Sequence, residues 1–209
     1  MRIDLLKTNP DRAGRYYVQF SDESAMRLYR QTVEDFGLYT GKELSDDEMS
    51  ALREAAGQMS ARMRAVRIVS ASSVSKKDLQ QRLVRKGEDP DQAREAVAWM
   101  TDLNLLDDAR VAEQVVSRCI SKGYGLSRAK QALYEKKVPK EYWEDALADY
   151  PEQEEKIADY LRSRLDAESS EKEIKKAIDA LLRRGHSYGT IRRALNELRF
   201  EAEEFPEEY

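Results

Sequence analysis

Ser75-Lys76-Lys77-Asp78-Leu79-Gln80-Gln81-Arg82-Leu83-Val84-Arg85-Lys86-Gly87 reads as a short helix that carries its own stop signal. Leu79 and Leu83 lie four residues apart on one face, and Gly87 stands where a helix closes on a left-handed residue, a conformation glycine adopts without steric penalty. Ala93, Ala96, Val97 and Met100 follow at helical spacings. Fifty residues on, the same slots hold Ala129, Leu133, Lys136 and Lys137, then Trp143, Ala146 and Leu147. After another 48 they hold Ala177, Leu181, Arg184 and Gly185, then Ile191, Ala194, Leu195 and Leu198. In the middle copy Lys137 replaces the glycine, and Pro139 supplies the start of the next helix.

A period of 48 to 50 residues predicts three tandem three-helix repeats. In each, one helix precedes the aligned block, one ends at the Lys-Gly type boundary, and one carries the Ala-apolar pair. A single unit buries too little surface to stand alone, so neighbours are expected to stack into an elongated body. Its charged ridge would suit the groove of a polymer better than it would enclose a small substrate. In the third repeat Ile174, Ala177, Ile178, Leu181 and Leu182 form the expected apolar stripe, opposite Lys172, Lys175, Lys176 and Arg183.

Working outward, the texture changes before about Leu44. Met1 to Leu6, Tyr16 to Phe20 and Ala25 to Leu28 read as strands, with turns at Asn9-Pro10-Asp11 and Ser21-Asp22-Glu23. A short helix through Gln31 to Phe36 ends at Gly37. Ser45-Asp46-Asp47-Glu48 is a capping box, and it opens a helix to about Ser70 with Leu52, Ala55, Met59, Met63 and Val66 as its core stripe. The expected organisation is mainly α: a small β-containing lobe over 1–44, a first repeat with its leading helix over 45–108, a second over 107–150, a third over 153–200 and an acidic tail over 201–209.

Composition agrees. Charged residues are 36% and apolar residues 41% of 209, with 9 Gly and 5 Pro, as in a helix-rich chain with charged outer faces. The net charge of −4 is uneven: residues 201–209 hold five acids and no base, leaving 36 bases against 35 acids in the body. Residues 61–88 carry eight bases against Asp78 and Glu88, and 172–200 carry eight against Glu173, Asp179 and Glu197. Such local patches suit a polyanion or an acidic protein surface, whereas a pI near 5.4 argues against strong nonspecific duplex binding by the whole chain. Arg192-Arg193 after Tyr188 is placed to meet phosphates. The tail is expected to be mobile and to compete for the basic patches.

The conspicuous single residues read as structural. Asp107-Asp108 precedes a helix and is expected to cap it, since adjacent carboxylates on a helix point apart. Cys119 reads as a buried thiol, His186 as a turn or interface residue, and Trp99, Trp143 and Tyr160 as core. A phosphate-cradling glycine loop, a Gly-x-Ser-x-Gly elbow and a metal signature are all missing from the sequence, so neither catalysis nor a cofactor is expected. Without a leader-like start or a run of about 18 apolar residues, the chain is expected in the cytoplasm, off the membrane.

Leu105-Leu106-Asp107-Asp108-Ala109-Arg110-Val111-Ala112 resembles the signature of the RecX family of recombination regulators. Ser75 to Gly87 is similar to the family's first-repeat pattern, and Leu182 to Leu195 to its last. The resemblance covers roughly residues 62–198, and the amino-terminal lobe is compatible with longer family members. The middle repeat departs at Gly125-Leu126, where Gly-Pro is typical, and at Ala129, where a larger apolar residue is usual. The resemblance implies a monomeric modulator that docks in the groove of the RecA filament on single-stranded DNA, restrains strand exchange and co-protease activity, and itself touches DNA. The expected partner-binding residues are the bases that recur near equivalent positions: Arg82, Arg85, Lys86, Lys136, Lys137, Arg183, Arg184, Arg192 and Arg193. The rival readings are a helical-repeat DNA-binding protein independent of RecA and an enzyme with a dispersed site.

Overall fold

The computed structural model describes residues 1–166 and 168–204, with side chains of the last helix described as far as Leu198. The chain divides into two compact units, one spanning Met1–Leu106 and the other starting at Asp107.

The first unit opens with strands β1 (Ile3–Leu6), β2 (Arg15–Phe20) and β3 (Ala25–Tyr29), an antiparallel sheet in the order β1-β2-β3. Val18 pairs with Leu6 and Met26, and Tyr16 with Leu28, so one face of the sheet is apolar. Helix α1 (Arg30–Asp35) follows, ended by Gly37 at φ +52°. Helix α2 (Asp46–Ala71) starts at the expected capping box: Ser45 Oγ accepts from the Glu48 amide, and Glu48 accepts from the Ser45 amide. Those bonds hold the Glu48 carboxyl below its ordinary pKa.

α2 serves two cores. Met49 and Leu52 close the sheet's apolar face with Ile3, Val18, Phe20 and Leu28. Its second half packs with α3 (Lys76–Arg85) and α4 (Pro90–Asp102) around Leu79, Leu83, Ala93, Ala96 and Met100. Here the expected stripe needs correcting. Met59 and Met63 are only half-buried, and the fully buried positions are Ala61 and Ala65. Alanine on both α2 and α4 lets the two backbones approach, which longer side chains in those slots would prevent.

The second unit holds α5 (Asp108–Ser121), α6 (Leu126–Glu135), a 3₁₀ turn (Lys140–Tyr142) running into α7 (Trp143–Leu147), then α8 (Glu154–Arg162), α9 (Glu171–Arg183) and α10 (Tyr188–Glu204). Asp107 caps α5 as expected, accepting from the Arg110 amide. Val111, Ala112, Val116, Leu133 and Val138 form one core, and Ile157, Leu161, Ala177, Leu181, Ile191 and Ala194 another. Cys119 is buried, which raises its thiol pKa. α10 continues through Glu204, so the helix reaches past residue 200, where the acidic tail was expected to begin; the rest of the tail lies outside the described residues. Among the described residues every strand belongs to the amino-terminal sheet.

Candidate partner-binding surface

Seven of the nine basic candidates lie at the C-terminal ends of α3, α6 and α9, with Arg192 and Arg193 on α10, and these three ends are built alike. The Gly87, Lys137 and Gly185 amides donate to the Val84, Tyr134 and Leu182 carbonyls at 2.9, 2.8 and 2.9 Å. The next amides, of Glu88, Val138 and His186, reach back to the carbonyls of Leu83, Leu133 and Leu181 at 3.1, 3.1 and 3.2 Å. This is the Schellman closure. Its left-handed residue has φ +90° at Gly87, +55° at Lys137 and +88° at Gly185, so the middle repeat makes the same turn with lysine. A Cβ in that region costs about 1–2 kcal/mol.

The residue after each turn is buried, and each end uses a different chemistry to hold it. Glu88 receives Arg64 Nε at 2.6 Å and Ser60 Oγ at 3.1 Å, while Arg64 also donates to the Lys86 carbonyl. Val138 joins its core, and its carbonyl accepts from Trp143 Nε1 at 3.0 Å. His186 meets the Gly123 carbonyl through Nε2 at 3.0 Å, which makes that nitrogen the protonated one. Burial lowers the His186 pKa; the Gly123 bond opposes this and Arg184 adds to it.

Within the second unit the α9 end is joined to the start of α6. The Gly125 amide donates to the Arg184 carbonyl at 2.9 Å and the Ser127 amide to Gly185 at 3.2 Å, so the first free amides of α6 satisfy the last free carbonyls of α9. The backbones touch: a Cβ on Gly125 would stand 2.1 Å from the Gly185 oxygen. Tyr150 Oη donates to the Tyr124 carbonyl at 2.6 Å, and burial pushes its pKa up to about 12. Lys156 Nζ donates to the Ile120 and Ser121 carbonyls, closing α5.

The candidates differ in availability. Arg82 pairs with the buried Asp78 at 2.7 Å, and Arg85 lies exposed along its own helix. Arg82 and Lys86 line a groove of about 470 Å³ together with Arg64, Arg67 and Ile68. Lys136 and Lys137 are half-buried. Arg183 is exposed, and the Arg184 guanidinium lies 4.5 Å from the centre of the Tyr160 ring, which Arg164 also approaches at 5.7 Å. Arg192 is exposed, whereas Arg193 is tied to Glu154 at 2.6 Å and Glu152 at 3.3 Å. The structure thus groups Arg82 with Lys86, and it engages Arg184 with Tyr160 and Arg193 in holding α8. Sequence reasoning counted Arg64 and Arg67 as charge only; their place in the groove depends on the rotation of α2 about its axis. Leu182, expected in the buried stripe, is 40% exposed, because it follows Leu181 around the helix by about 100°.

Among the described residues no group of three or more His, Cys, Asp or Glu is placed to hold a metal, and no helix is long and apolar enough to cross a membrane. These features define a mainly α protein of tandem three-helix repeats with a small amino-terminal sheet.

Comparison with known proteins takes the assignment further. Residues 107–147 match the family model for the second three-helix domain of RecX. The regulatory protein RecX of Stenotrophomonas maltophilia is 31% identical over 135 residues, 63% of this chain and 82% of that one. That of Clostridioides difficile is 25% identical over 203 residues, 94% of each chain. Among solved structures, RecX from Lactobacillus salivarius aligns at a TM-score of 0.60 with 26% identity, covering 70% of this chain and 99% of that one. A second crystal structure of regulatory protein RecX shares the fold at a TM-score of 0.65 and 20% identity, covering 93% and 98%. The chain belongs to the RecX family of regulatory proteins.

Proposed function

We propose that this protein binds the RecA filament on single-stranded DNA as a monomer, in the cytoplasm, and restrains strand exchange and co-protease activity without chemistry of its own. The supporting observation is the recurrence, at the ends of α3, α6 and α9, of a Schellman closure with a basic C-cap residue, Lys86, Lys136 and Arg184, a closure that α5 also makes at Lys122. Lysine or arginine there also complements the negative end of its helix, worth a few tenths of a kcal/mol to about 1 kcal/mol. That role needs one cation per end. Arg85, Lys137 and Arg183 stand beside the three cap residues, in excess of it. Cations of this kind favour association with an acidic surface and tune its rate through charge, and direct contact with DNA uses the same groups.

The test is a titration of purified protein into RecA on single-stranded DNA, reading ATP hydrolysis and strand exchange. Slowing at substoichiometric amounts, with no hydrolysis by the protein alone, is the expected result. Unchanged RecA kinetics up to excess protein would refute the proposal. Binding to bare DNA with no effect on RecA would favour the RecA-independent alternative.

A further inference from the structure

The position that accepts the first Schellman bond is unusual for its side chain. Val84, Tyr134 and Leu182 occupy the same register in α3, α6 and α9, and they are 39%, 73% and 40% exposed. Their neighbours Leu83, Leu133 and Leu181 are buried and fill the cores. Closure uses only the carbonyl of this position, so any side chain would serve, and alanine would favour the helix at least as well. A lone exposed apolar residue needs no explanation. Three in one register position of an internal repeat do, since the helix closure asks nothing of these side chains.

The surroundings are cationic. Val84 is followed by Arg85 and Lys86, Tyr134 is followed within three residues by Lys136 and Lys137, and Leu182 is followed by Arg183 and Arg184. Two of the nearby acids are engaged: Glu88 is buried under Arg64, and Glu135 accepts from Arg128 at 3.0 Å. Each helix end therefore offers one apolar knob with a positive rim. Nucleic acid matches the rim but not two of the three knobs, because Val84 and Leu182, unlike Tyr134, have no π face on which a base could stack. A protein surface matches both.

We infer that Val84, Tyr134 and Leu182 are the apolar anchors of a three-times-repeated contact, each entering an apolar recess edged by carboxylates on a protein partner that presents such recesses in series, as a homopolymer does. This rests on the filament-binding reading above and names the contact within it. The basic residues guide and orient, while the anchors slow dissociation.

The experiment measures dissociation constants of wild type, V84A, Y134A, L182A and the triple variant on RecA filaments assembled on oligo-dT with a nonhydrolysable nucleotide, and on bare oligo-dT. Single variants are expected to weaken filament binding several-fold. The triple variant should weaken it by about 100-fold or more, because three modest contacts on one chain multiply. The salt dependence should stay that of wild type, since no charge is removed. The replacement V84I/Y134F/L182M is expected to retain most of the affinity. Triple-variant binding within about twofold of wild type would overturn the inference, as would an equal loss on bare oligo-dT. A melting temperature lowered by more than about 5 °C would overturn it too, since these side chains would then serve the fold. A wild type that fails to bind filaments would overturn the filament reading itself, a result distinct from all of these.

Discussion

Replacing Gly125 with alanine tests the join between α6 and α9 directly. Gly125 has an ordinary φ of −79°, so the substitution adds no backbone strain of its own. What it adds is a methyl group 2.1 Å from the Gly185 oxygen and 2.4 Å from the His186 nitrogen, both backbone atoms that no side-chain rotation can move aside. Relieving that overlap separates the two turns. Overpacking costs about 1–3 kcal/mol, and the two amide bonds from Gly125 and Ser127 contribute about 1 kcal/mol each. Together this is about 3–5 kcal/mol, a large share of the roughly 5–15 kcal/mol that holds a domain folded. Gly87→Ala is the control: φ is +90° with open space around it, so the cost is the left-handed penalty alone, about 1–2 kcal/mol. Thermal and urea unfolding read both. G125A is expected to melt about 10 °C or more below wild type and G87A only a few degrees below. G125A melting within about 2 °C of wild type, or G87A proving the worse of the two, would refute the close-approach argument.

Three further outcomes are expected. Reversing Arg183 and Arg184 together to glutamate should weaken filament binding and flatten its salt dependence, with a stability loss of about 1–2 kcal/mol from the lost Tyr160 contact and the reversed charge at the helix end; unchanged binding would remove these two residues from the surface. His186 has a folded pKa below its ordinary 6.5, so the unfolded chain takes up the proton first. Its contribution is therefore complete above about pH 6.5 and declines as the pH falls below that value, and H186Q should abolish this slope in urea midpoints measured between about pH 5 and 8. Tyr150, with its pKa raised to about 12, should be among the last tyrosines to ionise, and Y150F should remove one late phenolate from an absorbance titration and cost about 1–2 kcal/mol by stranding the Tyr124 carbonyl.

What could be read from the sequence was whatever rests on local chemistry. Ser45 with Glu48, Asp107 before its helix, and glycine at 87 and 185 each carry their mechanism within a few residues, and the structure places each as expected. The three strands were legible for the same reason. Features set by distant neighbours were not. Met59 and Met63 share their helix with Ala61 and Ala65, and periodicity cannot say which face α4 approaches closely enough to require alanine. Gly125 looked like an altered helix start, because its partner, the Gly185 turn, lies 60 residues away. Lys137 in a left-handed turn gave no signal beyond its alignment with glycine. The basic candidates were legible as charge by position, but the engagement of Arg193 with Glu152 and Glu154, and the grouping of Arg64 and Arg67 with Arg82, needed the fold.

The double duty of α2 bears on how the sheet could ever be dispensed with. Met49 and Leu52 belong to the sheet's core and Ala61 and Ala65 to that of the helices behind it, within one uninterrupted helix. Cutting the chain at residue 44 would strip the cover from the first pair and leave a sticky, solvent-facing helical arm. A trimmed descendant would therefore have to lose about two more turns of α2 as well, or exchange Met49, Leu52 and Ala56 for polar residues, before it could remain soluble. The sheet can thus be shed only if the start of α2 goes with it or is rewritten.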